Sequence, residues 1–406
     1  DLSYRYDGSA RFGKNQRFAP FWSVGGGWNI HNEKFMKGSQ VSLLKLRASV
    51  GYLGNINFNP YQALTTYSYN SSYFYGKGTG ATPITIGNPD LKWERTLSTN
   101  IGVDFTAFRG RVDLSADYYI KNTDNLLLDI TKAPSVGVTT SRENIGEVQN
   151  SGFELRLRTF PIQNKDWQWS LGLTYAYNKN KIKKISNSLR EQNEKNKADN
   201  GVAPLPIYEE GQSLTALKVV PSAGIDPVTG QEIFIKRDGT YTFVYDSNDK
   251  VIFGDTNPIG TGSINSYLTY KRFALSCSFL YSFGGSLYNE TLATKVEGAN
   301  PKYNADERVL NDRWKTPGTI AKYKRIDDTT TPYQTSRFVE KNNFLRMSSL
   351  SLSYEVPTTF IQKYGLKRMF LELLTNDLFY LSTAKRERGL NYPYDRSFEF
   401  SVRFSL

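Results

Sequence analysis

The decapeptide Ser397–Leu406, SFEFSVRFSL, restricts the fold more tightly than any other stretch of the chain. Phe398, Phe400, Val402, Phe404 and Leu406 share one face, and Glu399, Ser401, Arg403 and Ser405 share the other. A period of two belongs to an extended strand with one apolar and one polar surface. A strand at a chain terminus needs a neighbour to take its backbone hydrogen bonds. The same period recurs upstream. Val112, Leu114, Ala116, Tyr118 and Ile120 alternate with Asp113, Ser115 and Asp117, and Phe153, Leu155 and Leu157 alternate with Glu154, Arg156 and Arg158. Trp167, Trp169, Leu171, Leu173, Tyr175 and Tyr177 form a third apolar row, and Phe273, Leu275, Cys277, Phe279, Tyr281 and Phe283 a fourth. Weaker versions lie near 2–12, 18–29, 41–52, 96–107, 263–271, 345–356 and 367–380. The pattern predicts about twelve strands, mostly ~10 residues long, the length that crosses a bilayer as β-structure.

The connections sort by parity. Counted from the C-terminal strand, every second one is short: 30–40, 108–110, 161–166, Arg272 and 357–366. The others, 53–95, 129–151, 181–262, 284–344 and 381–396, are long, with 13–17 the one brief exception. A soluble β-sandwich has no reason to sort its loops this way. A transmembrane barrel does, with tight periplasmic turns and long outer loops, which puts the C-terminus on the periplasmic side. Periodicity alone does not say which face points outward. Twelve strands closed as a soluble barrel would leave a lumen too wide for side chains to fill. The inverted arrangement, apolar outside and polar inside, avoids that void. The expected class is therefore all-β, a transmembrane antiparallel β-barrel.

Composition removes the main rivals. One Cys excludes an intramolecular disulfide framework and cysteine-ligated metal or cluster sites, and one His excludes two-histidine metal sites. No run approaches the ~18 apolar residues of a membrane helix. No nucleophile elbow, carboxylate pair or phosphate-binding glycine loop can be defended, because Gly25–Gly27 lies within a strand pattern and opens no helix. The expectation is a protein that is not an enzyme and carries no cofactor. The net charge is +12, but no helix-turn-helix, zinc-finger or aromatic-plus-basic pattern points to nucleic acid. The opening residues Asp1–Tyr6 read as a strand without a signal peptide, which fits a mature start or an internal fragment.

Several segments resemble the SusC/RagA-type TonB-dependent transporters of Bacteroidetes outer membranes. They are Asn88–Glu94 (NPDLKWE) leading into Asn100–Phe105, Asp117–Thr123 with Asn125–Leu127, and Asn144–Leu155 (NIGEVQNSGFEL). Gly254–Pro258, Phe344–Met347 with Leu350–Tyr354, and Ser397–Phe400 follow in family order. The resemblance implies a 22-stranded barrel of which residues 1–406 are the C-terminal portion, the N-terminal plug domain being absent from this chain. It also implies TonB acting through that plug, a SusD-like surface lipoprotein as lid, and import of glycans or peptides across the cell outer membrane. The chain ends in Leu406 where the family generally ends in Phe. Two other readings stand beside this one: a non-transporting outer-membrane scaffold or adhesin, and a soluble glycan-binding β domain.

Within the barrel reading, Phe398, Phe400, Val402, Phe404 and Leu406 face lipid. Asp104, Glu154, Arg156, Arg158, Glu399 and Arg403 line the lumen, keeping it wet and positioning the plug. Residues 68–80 gather Tyr69, Tyr73, Phe74 and Tyr75, with Tyr67 adjoining, among small polar residues. Such mixtures stack on sugar rings or peptide side chains, or pack on a lid or on the barrel mouth. The remaining partners expected are the other barrel strands, outer-membrane lipid and lipopolysaccharide. Lys181, Lys183 and Lys184 suit lipopolysaccharide phosphates or an acidic substrate, although acidic and amide residues through 181–200 favour a solvated loop flank. Asp246–Asp249 with Asp255 lacks the spacing and terminal Glu of an EF-hand loop, and Ile225–Gly230 and Arg237–Thr240 read as turns within a hairpin-bearing excursion over 219–253.

Overall fold

The computed structural model describes residues 1–55, 61–76, 78–132, 134–300, 302–388 and 395–405. Leu406 and the side chain of Tyr75 lie outside the described set. Twelve antiparallel strands follow one another in chain order. They are β1 (Leu2–Gly8), β2 (Phe18–Asn29), β3 (Val41–Asn55), β4 (Glu94–Ala107), β5 (Val112–Thr131) and β6 (Thr140–Gln163). The second six are β7 (Trp167–Ile185), β8 (Gly260–Tyr270), β9 (Phe273–Tyr288), β10 (Val339–Glu355), β11 (Arg368–Asn376) and β12 (Phe398–Ser405). A short segment, Tyr380–Ser382, also pairs with β10. Among the described residues β1 and β12 are the two edges of the sheet.

Pairing carries the alternation of each strand across the whole sheet. One row runs Trp169, Leu268, Leu275, Leu352, Leu373, Phe400 from β7 to β12. On the opposite face Asp104 stands across from Ser115, Ser115 from Arg156, Arg156 from Thr174, and Thr174 from Ser263. The apolar face is left uncovered: Phe398, Phe400 and Phe404 are 64%, 65% and 64% exposed. Aromatic pairs mark its two margins. Trp167–Tyr270 and Phe273–Tyr354, with ring centroids 4.1 and 4.7 Å apart, sit beside the short turns. Tyr175 and Phe283, 6.3 Å apart, sit at the other margin. About ten residues separate the margins; at ~3.3 Å each and a tilt of ~40° they span roughly 25 Å.

The connections differ from expectation at the strand tips. The long loop read at 129–151 is strand: β5 continues to Thr131 and β6 begins at Thr140, leaving only 132–139 as connection. The single apolar row is interrupted there by cross-strand ion pairs, Asp129 with Arg142 at 3.0 Å and Lys132 with Glu143, beside Leu126, Leu128 and Ile130, which pack in a separate buried cluster. β7 likewise reaches Ile185, its tip anchored by Ile182 and Ile185 in a buried apolar cluster, so Lys181, Lys183 and Lys184 belong to a strand rather than to a loop flank. An α-helix follows, α1 (Asn187–Ala198), capped by Ser186 Oγ accepting from the Leu189 amide at 3.2 Å. The two longest connections are then 186–259 and 289–338.

Candidate functional site

The charged face carries an ion network spanning three strands. Arg47 on β3 donates from Nε to Asp104 Oδ2 at 2.7 Å and from Nη2 to Asp104 Oδ1 and Asp117 Oδ2, both at 3.1 Å. Ser115 Oγ donates to Asp104 at 2.9 Å. A fork-shaped guanidinium holding one carboxylate through two bonds has a fixed orientation. A concavity of about 550 Å³ opens beside it, lined by Ser115, Asp117, Glu154, Arg156, Thr174 and Thr261. At the far end of the sheet Arg403 donates to Glu372 at 2.7 Å, and Ser351 Oγ to the other carboxylate oxygen at 2.8 Å. Asp104, Glu154, Arg156, Arg158, Glu399 and Arg403 all lie on this face, continuous through the pairing. The sequence reading missed Arg47 and Glu372. Arg47 shares parity with Lys45 in β3, which was the available signal.

The recurrent motif segments meet at one end of the sheet. Asn144 uses its side-chain amide as a surrogate peptide: Oδ1 accepts from the Lys92 amide at 2.9 Å, and Nδ2 donates to the Lys92 carbonyl at 3.1 Å and to that of Asn125 at 2.9 Å. The NPDLKWE segment is thus clasped to β6. Leu91 and Trp93 bury against Phe12 and Phe21, with the Trp93 ring 4.3 Å from Phe12 and 5.3 Å from Phe21. Trp93 Nε1 donates to the Arg17 carbonyl at 3.0 Å. Gly13 is required by this packing, since a Cβ there would lie 1.8 Å from the Pro89 carbonyl oxygen.

The two longest connections fold together rather than standing apart. Val220 and Thr335 form a bridge, and Ala293, Val296, Val309, Tyr323 and Phe338 make a buried apolar cluster. At its centre Arg337 grips two carboxylates at once. It donates to both oxygens of Glu232 at 2.7 Å, and to those of Glu297 at 2.7 and 2.8 Å. All three side chains are at least nine-tenths buried. Arg313 is buried beside them and donates to the carbonyls of Val296 and Glu297 at 2.7 and 2.8 Å. Elsewhere in the same segment Arg308 bridges Asp306 and Glu387 at 2.7 and 2.9 Å, holding the Asp306 carboxyl well below the usual carboxylate range. Apart from Asp306–Arg308, these contacts join residues distant in sequence, and no local pattern announces them.

The aromatic loop is a β-ribbon, Thr66–Tyr75 paired with Gly78–Thr85. Tyr67, Tyr69, Tyr73 and Phe74 are 59%, 79%, 55% and 77% exposed, so they form an accessible surface and not a core. The turn readings hold in detail. Asp226 accepts from the amides of Val228 and Thr229 and from the Thr229 hydroxyl, Asp238 from the Thr240 amide and hydroxyl, and Asp246 from the Asn248 amide. Cys277 stands on the apolar row opposite Ser266 and Leu350.

An antiparallel sheet with one uncovered apolar face, one ionised face, and folded connections gathered at one end defines the wall of a membrane barrel. The family model for the TonB dependent receptor-like β-barrel matches residues 1–208, and the chain belongs to that family. TonB-dependent receptor P3 of Formosa agariphila is 30% identical over 390 residues, covering 90% of this chain and 38% of that protein. TonB-dependent receptor SusC of Bacteroides thetaiotaomicron is 29% identical, covering 87% of this chain and 36% of that protein. A chain of the RagAB peptide transporter superposes with a TM-score of 0.81 at 25% identity, over 94% of this chain and 42% of that one. The SusC/RagA resemblance read from the motifs therefore stands. The chain spans about two fifths of the length of these relatives.

Proposed function

We propose that this chain is the C-terminal part of the barrel wall of a SusC-like transporter that imports glycans or peptides through the outer membrane. The observation that carries the reading is the uncovered apolar face, Phe398 through Phe404, backed across the same sheet by the Arg47–Asp104–Asp117 network. Lipid satisfies the first surface and a wet lumen the second. The two sheet edges support the same conclusion. Unpaired edge amides and carbonyls inside a bilayer cost several kcal/mol each, so the edges demand further strands. Those strands, and a plug domain coupled to TonB, belong to the remainder of the transporter.

In this reading Phe398, Phe400, Val402, Phe404 and Leu406 meet lipid, and the short turns and the C-terminus face the periplasm. Asp104, Glu154, Arg156, Arg158, Glu399 and Arg403 line the lumen, where fixed charge keeps water and seats the plug. The connections predicted at 181–262 and 284–344 are extracellular and form one body with the strand tips. The Tyr67–Tyr75 ribbon offers exposed rings to substrate or to a SusD-like lipoprotein lid. TonB pulls the plug and the solute passes along the polar wall. The test is uptake by cells carrying the complete transporter. Uptake should cease when TonB is depleted and should fall when Tyr69 and Phe74 are both replaced by Ala. Unchanged uptake without TonB would refute active import.

A further inference from the structure

The outward face of β7 changes chemistry once, at its margin. Trp167, Trp169, Leu171, Leu173, Tyr175 and Tyr177 lie on the apolar face, and the next residues of the same parity are Lys179 and Lys181. Register confirms that the face does not switch. Tyr177 stands opposite Phe153, Lys179 opposite Ser151, Lys181 opposite Gln149, and, past a bulge, Lys184 opposite Glu147. Lys179, Lys181, Lys183 and Lys184 are all exposed. None makes an ion pair with a described carboxylate; nearby Glu209 and Glu210 are held by Lys218 at 2.6 Å and Arg190 at 3.0 Å. Ile182, pointing the other way, is buried with Ile145, Val148, Ile185 and Leu189, so the strand tip bearing the lysines is anchored rather than frayed.

We propose that Lys179, Lys181 and Lys184, with Lys183 in the bulge, form a docking site for the phosphate groups of an outer-leaflet lipid. The inference rests on the outer-membrane reading above. Aromatic rings mark the depth at which hydrocarbon gives way to headgroups. The lysines begin one residue pair above Tyr177, in the column that faces lipid, and the headgroup layer is the anionic surface at that height. Ammonium groups spaced two residues apart along a strand lie ~7 Å from one another, close enough for neighbours to share a bisphosphorylated headgroup. An acidic substrate entering the lumen would meet the opposite face of the sheet.

The test uses the complete transporter purified in detergent, with bound lipid read by native mass spectrometry. The probes are bisphosphorylated lipid A and its enzymatically dephosphorylated form. Wild type should prefer the phosphorylated probe. The K179Q/K181Q/K184Q variant should lose roughly 100-fold in affinity for it, at about fivefold per lysine, while the corresponding arginine variant keeps it. Heat-modifiable migration reports that each barrel is folded. A folded variant that binds like wild type, or a wild type indifferent to the phosphates, overturns the site alone. Displacement of lipid A by soluble dextran sulfate at equal charge would also overturn it, by showing an indiscriminate polyanion surface. A wild type that extracts in aqueous buffer and shows no heat-modifiable band overturns the membrane reading and the lipid site together.

Discussion

Arg337 shows how much a single residue organises in this chain. Its guanidinium joins Glu232 and Glu297, 105 and 40 residues distant in sequence, inside the body formed by the two longest connections. A buried ion network contributes little net stability, but removing one member strands the others. Arg337→Met should therefore destabilise that body by ~3–5 kcal/mol, measured as faster proteolysis between residues 289 and 338. Replacing all three members by Met should restore much of the resistance. The Asp306 carboxyl adds a pH dependence of known sign. Hydrogen bonds from Arg308 depress it, so its contribution is complete above the unfolded carboxyl value of ~3.9 and is lost as pH falls through the lower folded value. Trp314 fluorescence should hold steady from neutrality to about pH 4 and change below it; a transition near neutrality would refute the assignment. On the strands, Phe400→Arg should cost ~2–4 kcal/mol if the residue lies near the bilayer midplane, and Ser401→Arg much less. Heat-modifiable folding yield measures both, and equal tolerance would undo the assignment of faces.

At the scale of the element, strands were legible wherever one face is apolar and illegible where it is not. All twelve barrel strands follow from period-two alternation, because the sheet fixes register by keeping each apolar set on one side. The tips of β5, β6 and β7 escaped because beyond the aromatic margin the outward apolar row stops: charged residues such as Asp129, Arg142 and Lys181 replace it, while Ile130, Ile145, Val148 and Ile182 pack instead in a cluster with Leu189 of α1. Helix α1 escaped as well: its sequence is polar nearly all round, and only Leu189, Asn193 and Asn196 bury. The motif segments were visible as words without their meaning. Asn144 acquires one only when its carboxamide is seen clasping both backbone groups of Lys92. Asn144→Leu should leave those groups unpaired, costing ~1–3 kcal/mol locally. Hydrogen exchange at Lys92 and Trp93 should accelerate while exchange in the β8–β9 pair stays unchanged.

Across the whole molecule the proposed function reduces to one property: a sheet that separates lipid from an ionised, watery interior. The sequence supplied the alternation and the parity of connection lengths. It did not say which face was outward, because that is a property of the surroundings and not of the pattern. The same separation explains why 57 aromatic residues leave the chain without one large core: among described residues the apolar clusters are small and many large side chains stand exposed. The most direct measurement places spin labels one at a time from 398 to 405 in the reconstituted transporter, with Cys277 replaced by Ser, and compares collision with oxygen and with an aqueous nickel chelate. The account predicts oxygen-dominated labels at 398, 400, 402 and 404 and chelate-accessible labels at 399, 401, 403 and 405. Labels equally open to the chelate at every position, or the reverse alternation, would contradict it.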